Sequence, residues 1–139
     1  MLASTQGLTP PPELLRDLRA AVESAVDRNR AEAILLSGGL DTSIVAALAS
    51  KHSTLRAYTI ALEGAPSPDI EYANLMTKVL GLNHDLHTFS VEEFMENLPE
   101  VVKTLRVFDP MEIRNSAAVY IGMGEAKKDG ISTFLTVDA

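Results

Sequence analysis

The segment AILLSGGLDTS, residues 33–43, decides the fold prediction. Its first four residues are apolar without polar alternation, which is typical of a strand buried on both faces of a parallel sheet. Residues 42–51 are rich in Ala, Ile, Val and Leu and predict a helix. Gly38 and Gly39 lie between the two and can adopt backbone conformations that a side chain would forbid. The segment therefore predicts a strand, a tight loop and a helix in direct succession.

The rest of the chain continues this alternation. Further strands are predicted at residues 55–62, 84–89 and 131–136, and helices at 13–29, from Ser67 or Asp69 to about residue 80, from Ser90 onward with Pro99 as a kink or break, and at 110–128. Such alternation predicts a doubly wound α/β architecture, with a mostly parallel sheet and helices on both faces. We expect residues 1–12 to form a flexible tail and residues 13–139 to form one domain.

Composition excludes several classes of protein. The 139 residues are 46% hydrophobic and 22% charged, as in ordinary globular domains, and the net charge of −7 opposes binding to nucleic acid or to anionic membranes. The chain has no cysteine, which excludes a thiol nucleophile and therefore a self-contained glutaminase of the cysteine type. No apolar run is long enough to span a membrane and no secretory signal is evident, so we expect a cytoplasmic protein.

The loop at residues 37–43 has the chemistry of an anion site. It follows a strand and opens a helix, so backbone N–H groups and the positive end of the helix dipole converge there. Ser37, Thr42 and Ser43 add hydroxyl groups, and the Asp41 carboxylate beside a phosphate would need a bridging cation such as Mg²⁺. The alternative is that the glycines form only a tight turn and Asp41 only caps the helix. The loop has neither the lysine of a P-loop nor a dinucleotide fingerprint.

Ser37 to Ser43 resembles the S-G-G-x-D-[ST]-S pyrophosphate loop of the N-type ATP pyrophosphatases. The segments at residues 58–64, 68–69, 80–84 and 108–116 are similar, in order and spacing, to the synthase domain of asparagine synthetase. The likeness covers roughly residues 30 to 139. It implies the adenine nucleotide alpha hydrolase-like fold, and an enzyme that binds ATP and Mg²⁺ and converts an aspartate-like carboxylate into an acyl adenylate, releasing pyrophosphate before ammonia attacks.

The resemblance also implies roles for single residues. Asp41 would hold Mg²⁺, Arg114 would lie near the carboxylate substrate, and Asp138 would stand for the first acidic residue of the family's second signature. Val137 replaces a glycine of that signature. The metal-binding aspartate of the same signature would follow Ala139, so we expect a C-terminally incomplete site. The ATP would be bound by Leu36, Ser37, Gly38, Gly39, Leu40, Asp41, Thr42 and Ser43, with Ile60 and Leu62 flanking the adenine.

Two other functions stay open at this point. One is another N-type ATP pyrophosphatase, of the lactam synthetase or tRNA-modifying type, and the other is a nucleotide-binding module without catalysis. For the ligase, the expected partners are a small-molecule carboxylate and either ammonia or a separate glutaminase, without membrane or nucleic acid. Formation of a homo-oligomer is left open.

Several other polar positions are interpreted as structural. His84 and His87 would point to opposite faces of a strand, cannot share a metal, and are taken as ordinary polar positions. Gly122-Met123-Gly124 is interpreted as close helix packing. Solvated helix faces are predicted for Arg16, Arg19, Arg28 and Arg30, and for Glu92, Glu93, Glu96 and Glu100.

Overall fold

The computed structural model describes residues 10–64 and 68–137. Strands and helices alternate along most of the chain, as the sequence predicts. The elements are α1 (Pro12–Arg28), β1 (Ala33–Leu35), α2 (Leu40–Ala49), β2 (Arg56–Leu62), α3 (Pro68–Leu80), β3 (Asn83–Phe89), α4 (Val91–Leu105), α5 (Pro110–Lys128) and β4 (Phe134–Leu135).

The four strands form one parallel sheet in the order β3-β2-β1-β4. From β1 the chain moves outward to β2 and then β3, and it returns to place β4 on the other side of β1. The strand order therefore reverses between β1 and β4. In open α/β sheets, ligands bind at the carboxyl ends of the strands at such a reversal.

Helices cover both faces of the sheet, as predicted for a doubly wound fold. On one face, Ile34 of β1 packs with Val26 of α1, Ala46 of α2 and Ala73 of α3. On the other face, Ala33 and Tyr58 pack with Ala126 of α5, and α4 packs against α5. Gly122 of α5 lies so close to β1 and β2 that an added Cβ would come within 2.6 Å of Ile60 and 3.1 Å of Leu35. Close helix packing is thus confirmed at Gly122, whereas Gly124 has open space around it.

A polar network joins β2, β3 and α5 at the amino ends of the strands. Arg56 donates from Nε to Asp85 at 2.7 Å, and its Nη2 lies 3.0 Å from Asp129, the residue that ends α5. The Tyr58 hydroxyl donates to the same Asp129 carboxylate at 2.8 Å. Burial and this hydrogen bond raise the pKa of Tyr58 to about 12. The network ties the amino ends of the strands together, whereas ligands in such sheets bind at the carboxyl ends.

A kink or a break was predicted at Pro99, and the break is wrong. Pro99 lies inside α4, which runs through it without interruption. The Ser90 side chain caps the helix by accepting from the N–H of Glu93 at 3.1 Å, and α4 packs against α5. Tertiary packing therefore overrides the local cost of a proline.

Two other boundaries also differ from the prediction. Pro12 is the first residue of α1, so the predicted tail cannot extend to residue 12. Strand β4 has two residues rather than six, because the preceding residues have other partners. The Ile131 N–H bonds to the Ala126 carbonyl, and Ser132 and Thr133 donate to the Glu32 carboxylate. The Ser67 helix cap lies outside the described residues.

Candidate active site

The two glycines of the loop have different roles. Gly38 has φ +83°, which favours glycine, and an added Cβ would overlap the Asp69 carbonyl oxygen at the start of α3. Gly39 has φ −67° and ψ 165°, and the nearest atom to its added Cβ is the Ser37 hydroxyl at 3.3 Å. Gly38 is therefore required by packing against α3. Gly39 leaves open backbone at the start of α2.

The hydroxyl groups of the loop stabilise its backbone in this structure. Ser43 donates to the Gly39 carbonyl at 2.7 Å, and Thr42 donates to the same carbonyl at 3.2 Å. The Ser37 and Thr42 hydroxyls are 3.0 Å apart. These bonds hold the loop in one conformation before any ligand binds.

The first turn of α2 presents unpaired donors. Gly39 has no side chain with which to cap the helix, and within residues 10–64 and 68–137 no acceptor meets the N–H groups of Leu40, Asp41 or Thr42. Asp41 is exposed and forms no ion pair or hydrogen bond with the described residues. Backbone donors at a helix N-terminus, with a free carboxylate beside them, suit an anion that is accompanied by a divalent cation.

A cavity of about 180 Å³ opens beside the loop, where the strand order reverses. It is bordered by the ends of β1, β2 and β4 and by the middle of α5. Four predicted ATP-binding residues line it, Leu36, Ser37, Thr42 and Ile60. The sequence did not single out four others, Leu35, Tyr58, Ala118 and Val119, and the lining is completed by Thr136 and Val137.

A second cavity, of about 420 Å³, holds two more of the predicted residues. Leu62 and Arg114 line it together with Phe89 and Phe94, and Ile60 and Ala118 border both cavities. The exposed Arg114 donates to Asn115 at 3.3 Å. Leu62 and Arg114 thus lie next to the first cavity, not in it. Asp138 lies outside the described residues.

A buried polar chain supports the start of the loop, and the sequence did not reveal it. Thr59 of β2 donates to the Leu36 carbonyl at 2.7 Å. Since that bond uses the single hydroxyl proton of Thr59, the 2.8 Å contact with His84 Nε2 requires the imidazole to donate. His84 Nδ1 lies 3.3 Å from the Thr77 hydroxyl of α3. Burial lowers the pKa of His84, which keeps the ring neutral. The one sign of this chain in the sequence was Thr59, a polar residue within the apolar strand β2.

The two histidines of β3 point to opposite faces, as predicted. His84 contacts α3, whereas His87 lies 3.4 Å from Glu93 of α4 and 3.9 Å from Glu125 of α5. Glu92, Glu96 and Glu100 are exposed, but Glu93 is half-buried against His87, so its assignment to a solvated face is wrong. The four arginines of the first-helix region are exposed, as predicted.

The asparagine synthase family model matches residues 13–138. This chain belongs to the asparagine synthase family. It is 31% identical over 134 residues to the glutamine-hydrolysing asparagine synthetase 2 of Arabidopsis thaliana, covering 86% of this chain and 23% of that protein. It is 29% identical over 140 residues to the glutamine-hydrolysing asparagine synthetase B of Escherichia coli (strain K12), covering 89% of this chain and 25% of that protein. The chain thus spans about a quarter of the length of these curated relatives.

A solved structure supports the fold. The NMN synthetase of Francisella tularensis superposes with a TM-score of 0.51 and 21% sequence identity, over 86% of this chain and 51% of that chain. This similarity indicates a common architecture. Among the residues described, no helix is both long and apolar enough to cross a membrane.

Proposed function

We propose that this chain is the ATP-binding part of an asparagine synthetase-like ligase, which activates an aspartate-like carboxylate as an acyl adenylate. The observation that carries the proposal is the N-terminus of α2. Its unpaired N–H groups and the free Asp41 carboxylate lie at the reversal of the strand order, beside a cavity lined by predicted ATP-binding residues.

The loop fits a pyrophosphate group with Mg²⁺. The N–H groups of Leu40, Asp41 and Thr42 would donate to phosphate oxygens, and Gly39 leaves room for their approach. Asp41 offers one carboxylate, which suits Mg²⁺ because this ion commonly takes one or two carboxylates together with phosphate oxygens. When bound, Mg²⁺ would neutralise charge on the phosphates. Ile60, at the rim of both cavities, would contact the adenine, with Leu62 beyond it.

In the proposed reaction, a carboxylate oxygen attacks the α-phosphorus of ATP and pyrophosphate leaves. Ammonia then attacks the acyl carbon and AMP leaves, which gives the amide. The part of this chain is to hold the phosphates on α2 and to place the exposed guanidinium of Arg114 near the carboxylate. Because these 139 residues contain no cysteine, the ammonia would come from outside them, either from solution or from a glutaminase.

One observation favours a second candidate, a nucleotide-binding module without catalysis. Val137 lines the first cavity beside Ser37 and Thr42, at a position where the family resemblance expects a bare glycine backbone. A side chain there narrows the space for the nucleotide. Binding of ATP without release of pyrophosphate in the presence of aspartate and ammonia would favour this candidate over the ligase.

Calorimetric titration with ATP and Mg²⁺ tests the proposal. We expect the wild-type chain to bind ATP more tightly than AMP, because the pyrophosphate carries the contacts with α2. Asp41→Ala should weaken ATP binding about tenfold or more. Asp17→Ala removes an exposed carboxylate of α1 and is the matched control, with affinity unchanged. Absence of ATP binding by the wild-type chain, or equal affinity in Asp41→Ala, would contradict the proposal.

A further inference from the structure

Three side chains from three elements converge on the α5 side of the sheet. His87 of β3 faces Glu93 at the start of α4 and Glu125 in the last third of α5. One ligand atom from each residue can be chosen so that all three lie within 4.8 Å of one another, and all three residues are partly buried. Among the described residues, no other group of three or more histidine, aspartate or glutamate side chains has ligand atoms this close together.

The imidazole has a carboxylate at each nitrogen. Its Nε2 lies 3.4 Å from Glu93 Oε1, and its Nδ1 lies 3.9 Å from Glu125 Oε2. A neutral imidazole has a single N–H, so it can donate to one of the two carboxylates only. The other carboxylate then faces a nitrogen lone pair, which is repulsive unless a proton or a metal ion lies between them.

Lys128 does not remove this imbalance. Its ammonium bonds to Oε1 of Glu125, whereas Oε2 of the same carboxylate faces the histidine. Two carboxylates and one lysine leave a net negative charge around the ring. Each carboxylate therefore keeps an oxygen directed toward His87 and available to a cation.

We propose that His87, Glu93 and Glu125 bind a divalent transition metal of the Zn²⁺ type. One nitrogen with two carboxylate oxygens is a ligand set that Zn²⁺ accepts and that Mg²⁺, which prefers oxygen ligands and water, does not favour. In a tetrahedral zinc site, ligands at 2.0–2.2 Å from the metal are separated by roughly 3.3–3.6 Å. The 3.4 Å between His87 Nε2 and Glu93 Oε1 already matches this separation. Glu125 faces Nδ1, so its side chain must turn toward Nε2 to bind the same metal, and the ligand atoms of the three residues already lie within 4.8 Å of one another.

The fold fixes two of the ligands before a metal binds. Glu93 is the third residue of α4, and its N–H donates to the capping Ser90 hydroxyl at 3.1 Å. Glu125 precedes Ala126, which is fully buried against β1 and β2. A metal bound here would join edge strand β3 to the pair of helices α4 and α5. Its binding would therefore stabilise the folded chain, independently of ATP.

Zn²⁺ titration of the metal-free chain, followed by calorimetry and thermal unfolding, tests this site. We expect one Zn²⁺ per chain and a higher melting temperature on binding. Glu93→Gln and Glu125→Gln preserve the side-chain shape, and each should weaken binding about tenfold or more, as should His87→Ala. Co²⁺ should give visible d–d absorption that disappears in the same variants.

Three controls separate this site from other binding. His52→Ala removes a histidine that faces one carboxylate only, Glu96→Gln changes an exposed carboxylate of the same helix, and Asp41→Ala changes the proposed nucleotide loop. All three should bind Zn²⁺ like the wild-type chain. The proposal is overturned if the wild-type chain binds no Zn²⁺, or if Glu93→Gln and Glu125→Gln, with circular dichroism showing that they are folded, bind it unchanged.

Discussion

The two loop glycines allow the contribution of packing to be measured apart from that of ligand binding. Gly38 is in the left-handed region and lies against the Asp69 carbonyl, so Gly38→Ala must strain the backbone and displace the start of α3. We expect this change to lower the free energy of unfolding by at least about 1 kcal/mol. Urea denaturation followed by circular dichroism measures the loss.

Gly39→Ala is the matched comparison, because Gly39 has a φ that any residue adopts and no backbone atom near its added Cβ. It should unfold at nearly the same urea concentration as the wild-type chain, yet bind ATP more weakly, since the methyl group would stand beside the α2 donors. Equal destabilisation by the two alanines would show that Gly38 has no special packing role.

His84 makes the stability of the chain depend on pH. Burial lowers its pKa in the folded state below the ordinary value of 6.5, outweighing the attraction of Asp85. Between the two pKa values the unfolded chain binds more protons than the folded chain, so the free energy of unfolding falls as the pH drops below about 6.5.

Replacing the His84 imidazole tests this pH dependence. The wild-type chain should lose stability in urea titrations from pH 7.5 to pH 5.5, and His84→Gln should lose less over the same range because glutamine does not titrate. Parallel pH profiles for the wild-type chain and His84→Gln would argue against a neutral buried His84.

Elements with a strong local signal were predicted well. Helices α3 and α5 end near Gly81 and Gly130, which have φ of 65° and 80°, and the apolar runs of β1 and β2 mark the centre of the sheet. The start of β4 could not be predicted, because the residues before it bond to the end of α5 and to Glu32, which lies 100 positions away from Ser132. Local patterns identify elements, whereas tertiary contacts set their lengths.

Among the elements, Pro99 is the clearest case in which a residue disfavours the structure that contains it. Inside α4 it removes one backbone hydrogen bond and crowds the preceding turn, and the exposed residue gains little by packing. Pro99→Ala should therefore raise the free energy of unfolding by about 1–3 kcal/mol, measured by urea denaturation. Glu96→Ala, an exposed change in the same helix, should alter it by less than about 0.5 kcal/mol. Destabilisation by Pro99→Ala would mean that α4 needs the proline for its packing on α5.

Across the whole molecule, the carboxyl and amino ends of the strands have different roles. The carboxyl ends of the strands hold the loop and the first cavity, and the amino ends hold the Arg56 network. Tyr58 is the residue that belongs to both, because its hydroxyl bonds to Asp129 while its side chain lines the cavity. The sequence located the loop because its residues are contiguous. It did not identify Ala118, Val119 or Thr59, because these reach the site only through the packing of α5 and β2 against β1.

This separation predicts that stability can change without ATP binding. Arg56→Met would leave the Asp85 and Asp129 carboxylates without their shared cation, so the melting temperature should fall by several degrees. Arg56→Lys keeps the charge but cannot bond to both carboxylates in the same geometry, so its melting temperature should fall less. At a temperature where both variants are folded, calorimetry should give wild-type affinity for ATP with Mg²⁺, because Arg56 lies at the opposite ends of the strands from α2. A loss of ATP affinity in folded Arg56→Met would show that the two ends of the strands are coupled through β2. An unchanged melting temperature would show that the network contributes no stability.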